Sequence, residues 1–62
     1  MTDTRPLAER VRDIGVYLDI NAKRAARPGA GKINNRQAPL LAEMARDAHE
    51  AADALEARKE QP

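Results

Sequence analysis

Residues 7–18 read LAERVRDIGVYL, and this stretch decides the fold. Its larger apolar residues recur at spacings of four, three and four: Leu7, Val11, Ile14 and Leu18. That spacing places them on one side of an α-helix, whereas a half-buried strand needs strict alternation. Pro6 suits the first turn of such a helix, because its missing N–H needs no partner there. The sequence therefore predicts a helix over about residues 5–27.

A second apolar stripe with the helical period follows in the C-terminal part of the chain. It consists of Leu41, Met44, Ala48 and Leu55. Many of the residues around it are Ala, the best helix former, and Pro39 suits a first turn. This pattern predicts a second helix over about residues 39–59. The intervening residues 28–38 are rich in Pro, Gly and Asn, which favour turns, and we expect them to form a connector.

Two helices joined by a short connector predict an all-α fold, an antiparallel helical hairpin that forms a single domain over residues 1–62. Small residues recur seven apart beside the two apolar stripes: Ala8, Gly15, Ala22, Ala45 and Ala52. Such residues let two helix backbones approach closely, which would offset the cost of about 1 kcal/mol for a glycine inside a helix. The alternative is that Gly15 is tolerated on a solvent-exposed surface. We also expect Ala48, between two Leu, to face another backbone with little free volume.

One hairpin has a small core, and the core of a chain of this length rarely contributes more than about 3–5 kcal/mol to the free energy of unfolding. We therefore expect a homo-oligomer, in which two hairpins pack as a four-helix bundle. Its seam would contain Leu7, Val11, Ile14, Leu18, Leu41, Met44, Ala48 and Leu55. Val16 and Ile20 lie off that seam, one turn apart, and indicate a second contact surface. Alternatively, Tyr17 or the connector that carries Ile33 covers this pair within one hairpin. Ile33 itself either folds back over the open end of the two helices or stays exposed in the connector.

The composition argues against several classes of function. There are 62 residues with no Cys and one His, so neither a disulfide framework nor a Cys-based zinc site is expected. In a heptad repeat with the apolar stripes at positions a and d, His49 falls at b, on the solvent face. The residues GAGK at 29–32 lack the spacing of a phosphate-binding loop. We predict no catalytic, cofactor-binding or metal-ligating residues, and hence no enzyme. No membrane-spanning run or signal peptide is apparent, so we expect no membrane association and a cytoplasmic location.

Charge is unevenly distributed along the chain. Residues 23–36 contain five cations and no anion: Lys23, Arg24, Arg27, Lys32 and Arg36. This basic segment could meet phosphate groups or an acidic protein surface. No aromatic residue lies within it, so stacking of single-stranded bases there is not expected. The alternative is that these cations serve only solubility and the helix dipole.

Two functional hypotheses follow. The first is a small non-enzymatic protein–protein interaction module, a regulator, inhibitor or assembly subunit of the kind common in phage and plasmid genomes. It would self-associate and bind another protein through Val16, Ile20 and the five cations. The second is a small RNA- or DNA-binding regulatory protein that uses the basic loop end. Affinity for nucleic acid that falls steeply with salt would distinguish them.

Overall fold

The computed structural model describes residues 3–59 and, at Lys59, the backbone alone. Helix α1 spans Leu7–Ala25, a short 3₁₀ turn spans Pro28–Ala30, and helix α2 spans Lys32–Lys59. The two helices run antiparallel and pack along each other, and residues 3–59 contain no strand. The predicted all-α helical hairpin is confirmed.

Helix α2 begins at Lys32, seven residues before the start that the sequence predicts, so residues 32–38 are helix rather than connector. Gly31 starts the helix with a φ of 98°, a left-handed backbone conformation that favours glycine, and its carbonyl accepts the first helical hydrogen bond. Pro39 then lies inside the helix, where it removes one hydrogen bond at a cost of about 3 kcal/mol. Burial of Ala38 against α1 helps to offset that cost.

Asn35 explains the early start further, because its side chain completes the end of α1. Its Nδ2 donates to the carbonyl oxygens of Ala25, at 2.6 Å, and Arg27, at 2.9 Å. The last carbonyls of a helix have no partner within that helix, so this asparagine acts as a cap supplied by the neighbouring helix. Ile33 does not fold back over the helices: it lies in the first turn of α2 and is 75% exposed.

The interface between the helices consists of small residues. The buried positions are Ala8, Gly15, Ala22 and Ala25 on α1, and Ala38, Ala45 and Ala52 on α2. Ala45 and Ala52 are completely buried. The predicted close approach at small residues seven apart is thus confirmed, and Gly15 does not lie on a solvent-exposed surface. Ala48 is only half-buried within one hairpin, so the positions packed tightly between α1 and α2 are Ala45 and Ala52 rather than Ala48.

The hairpin is a flat slab, with extents of 49 × 26 × 11 Å. A helix with its side chains is about 10–12 Å across, so the slab is one helix thick. Because all the fully packed side chains lie between α1 and α2, both broad faces of the slab are open. These two faces and the connector end are the surfaces available for function.

Candidate functional site

One broad face of the slab is polar and is held together by contacts between the helices. Nη2 of Arg12 lies 2.5 Å from Oδ1 of Asp53 and 3.5 Å from Oε2 of Glu56. Its Nη1 donates to the backbone carbonyl of His49 at 3.4 Å. The hydrogen bond that Arg12 donates to the Asp53 carboxylate raises the pKa of Arg12. These contacts fix the register of the two helices, with Arg12 beside His49.

His49 lies on this polar face and not fully in solvent, contrary to the prediction. Its Nε2 is 2.7 Å from Oδ2 of Asp19, and its side chain is 30% exposed. The ring lies directly over Gly15: a Cβ atom added there would be 2.8 Å from Cε1 of the ring. The missing side chain of Gly15 is therefore what makes room for the histidine.

The acidic and histidine side chains do not assemble into a metal centre. Among residues 3–59, no three His, Cys, Asp or Glu side chains gather closely enough to hold an ion. His49 has one carboxylate neighbour, Asp19, rather than a ligand set.

The opposite broad face is apolar. The eight residues of the predicted seam occupy heptad positions a and d, to one side of the buried small residues at e, whereas Arg12 and His49 occupy position b on the other side. Leu18 and Leu41, one from each helix, line the same groove on this side. None of the eight is fully buried, and the most exposed are Leu7 at 52%, Ile14 at 54% and Met44 at 45%. We call this surface the apolar face.

Val16 and Ile20 lie on the outer side of α1, away from the apolar face. They are 46% and 47% exposed. The predicted alternative, that Tyr17 or the connector covers them, does not hold, because Tyr17 is itself 67% exposed and Ile33 belongs to α2.

The connector end of the slab is strongly basic. Lys23, Arg24, Arg27, Lys32 and Arg36 are all exposed, and none forms an ion pair within residues 3–59. We call them the loop-end cations. At the opposite end, by contrast, Arg5 lies 2.9 Å from Asp3 and 2.7 Å from Asp13. The hydrogen bond from Arg5 lowers the pKa of Asp3 to about 2.

A groove of about 420 Å³ opens between the helices at the connector end. Its floor is apolar, formed by Leu18, Ala25 and Leu41, and its walls carry polar side chains: Tyr17, Asn21, Arg24, Asn34 and Gln37. We call it the loop-end groove. The groove was not predicted from the sequence, because Tyr17 precedes the basic segment in the chain. Tyr17 and Arg24 are seven residues apart, two turns of one helix, and this spacing was the available signal.

No family model, no curated protein and no solved structure matches this chain. In the part of the chain that the structure describes, neither helix is sufficiently long and apolar to cross a membrane.

Proposed function

We propose that this chain is a small, non-enzymatic protein–protein interaction module that acts in the cytoplasm as a self-associated helical hairpin. The observation that carries the proposal is the apolar face: eight apolar side chains lie together on a slab one helix thick, and the packing of residues 3–59 leaves each of them half-buried or exposed. Contiguous apolar surface of this kind is typical of an interaction site.

The size of the slab supports a second copy as the occupant. A standard protein interface buries about 800 Å² on each partner. A broad face of 49 × 26 Å is large enough for that. Two such slabs, packed apolar face to apolar face, would give a four-helix bundle with a core of ordinary thickness.

The order of the apolar residues supports the same occupant. On α1 the sequence of spacings, four, three and four, reads the same in both directions, with Leu at both ends and β-branched residues between. On α2, Leu41 and Leu55 lie symmetrically about Ala48. Because Arg12 lies beside His49, the centres of both stripes are at the same level of the hairpin. A two-fold axis through that level would bring each stripe against its own copy, as an isologous interface requires.

Self-association would leave the outer side of α1 and the connector end available. We propose that Val16, Ile20 and the loop-end cations meet the protein that this module regulates, inhibits or helps to assemble. Exposed apolar side chains beside exposed cations suit a partner surface that is acidic at its rim.

Sedimentation equilibrium at micromolar concentration tests the self-association. The parent chain should have at least twice its mass of 6.8 kDa, and its melting temperature should rise with concentration. Ile14→Asp, which puts a charge on the apolar face, should yield a monomer. Val16→Asp makes the same change off that face and should leave the mass of the assembly unchanged. A parent chain that is monomeric, or an assembly that only Val16→Asp dissociates, would show that the apolar face is not the interface.

A further inference from the structure

The loop-end groove has polar walls that the packing of the hairpin does not explain. Asn21, Asn34 and Gln37 occupy the same heptad positions that carry Leu, Val, Ile and Met in the rest of the apolar face. All three line the groove, and none is buried. A hairpin that served only to bury apolar surface would continue its stripe here, so these residues indicate a different ligand.

The amide groups in the groove can still form hydrogen bonds. Asn21 donates from Nδ2 to the carbonyl of Tyr17, and Asn34 donates from Nδ2 to the carbonyl of Ala30, each at 2.8 Å. An amide has two N–H donors and an acceptor oxygen, so most of its capacity remains. Gln37 has no side-chain hydrogen bond within residues 3–59. Such groups match the donor and acceptor edges of nucleobases.

An aromatic ring and a guanidinium group stand at the edge of the same groove. Tyr17 is 67% exposed, and Arg24 follows it two turns later on α1. An exposed aromatic ring offers a stacking surface to an unpaired base, and arginine can contact a phosphate. A volume of about 420 Å³ is within the range of ordinary ligand sites.

The electrostatic surroundings favour a polyanion. The loop-end cations have no carboxylate partner within the described part of the chain, and residues 20–42 contain no Asp or Glu at all. Cations around one end of a rod, rather than along its length, do not match the extended phosphate rows of a duplex. They do match a flexible single strand that passes over the end of the hairpin.

We infer that the loop-end groove binds single-stranded nucleic acid, with a base against Tyr17 and phosphates at Arg24 and the other loop-end cations. The groove shares Leu18 and Leu41 with the apolar face and Arg24 with the proposed protein-binding surface, so a bound strand would compete with face-to-face self-association and with an acidic protein partner. Such binding goes beyond the sequence-based expectation, in which no aromatic residue accompanied the cations.

Fluorescence anisotropy with a short labelled single-stranded RNA tests this inference on the full chain. If about three phosphates are contacted, affinity should fall about 20-fold between about 50 and about 200 mM salt. Tyr17→Leu should weaken binding about 5-fold or more, because it removes the stacking surface, whereas Tyr17→Phe should retain it. Arg24→Gln should weaken binding about 10-fold or more. Arg46→Gln, which removes an exposed cation from α2 outside the groove, is the matched control and should have little effect.

Several results would overturn the inference. The first is that no binding is measurable at low salt. The second is that Arg24→Gln and Arg46→Gln weaken the affinity equally. The third is that Tyr17→Leu leaves the affinity unchanged. Tighter binding of a duplex of the same length would exclude a single-strand site. Equally effective competition by polyglutamate would indicate an acidic protein as the partner. Circular dichroism of each variant verifies that it folds. Sedimentation of the same samples reports self-association separately, so a monomer that binds RNA would refute only the proposed self-association.

Discussion

Ala45 is the position at which the packing between the helices can be tested most directly. Its side chain is completely buried where α1 and α2 approach each other. Ala45→Leu adds three carbon atoms to that contact and forces the helices apart, at a cost of about 1–3 kcal/mol. The helix propensities of Ala and Leu are similar, so the cost is one of packing. Since about 1 kcal/mol corresponds to about 4–8 °C in a domain of this size, the melting temperature should fall by about 5–20 °C.

The matched control is Ala48→Leu, the same change three residues further along α2. Ala48 lies half-buried on the apolar face, outside the tight contact between α1 and α2. This variant should be at least as stable as the parent, and more stable at high concentration if the apolar face is an interface. Thermal melts followed by circular dichroism at matched concentrations decide the matter. If Ala45→Leu has the same melting temperature as the parent, or if both variants are destabilised equally, then Ala45 is not a tightly packed contact between the helices.

Two further predictions concern the ends of the hairpin. Asn35→Ala leaves the Ala25 carbonyl at the end of α1 without its side-chain donor and removes one of the two donors to the Arg27 carbonyl, so it should cost about 1–2 kcal/mol and speed amide exchange in the last turn of α1. Asn34→Ala, which loses one bond to the carbonyl of Ala30 in the 3₁₀ turn, should change both less. The carboxyl of Asp3, held by Arg5, should titrate with a pKa of about 2 in a ¹³C NMR titration, and Arg5→Gln should return it towards its ordinary value of 3.8. Because the folded pKa is the lower one, this contact stabilises the fold above the unfolded pKa and is lost as the pH falls through about 2.

The parts of the fold that the sequence predicted are those that depend on helical period alone. Apolar residues at helical spacing and small residues seven apart specify two helices and the side on which they meet. The start of α2 was not predictable in this way. Read locally, Pro39 and the residues before it favour a connector, and only the contact of Asn35 with α1 shows why helix is preferred there.

The candidate site also has parts that the sequence predicts and a part that it does not. The exposed loop-end cations and the apolar face follow from the order of residues in each helix. The loop-end groove does not, because it brings Tyr17 and Arg24 of one helix together with Asn34 and Gln37 of the other. The depth and volume of such a groove depend on the spacing between the helices, which no single segment encodes.

The contact between His49 and Gly15 was also missed, and it leads to a prediction in which two effects oppose each other. Gly15→Ala improves helix propensity by about 1 kcal/mol. The added Cβ would lie 2.8 Å from Cε1 of His49, so the ring must move and give up its contact with Asp19. A partly exposed pair of this kind contributes about 1 kcal/mol, so Gly15→Ala alone should be close to neutral.

Removing the ring separates the two effects. In a His49→Ala background, the added methyl group meets no imidazole, and Gly15→Ala should stabilise the hairpin by the full propensity gain of about 1 kcal/mol. The double-mutant cycle should therefore give a coupling energy of about 1 kcal/mol between the two positions. Urea melts of the four proteins at one concentration provide the measurement. The contrary result is that Gly15→Ala stabilises the chain equally with and without the ring of His49. That result would show that the ring does not occupy the space above Gly15 and does not explain the glycine at this position.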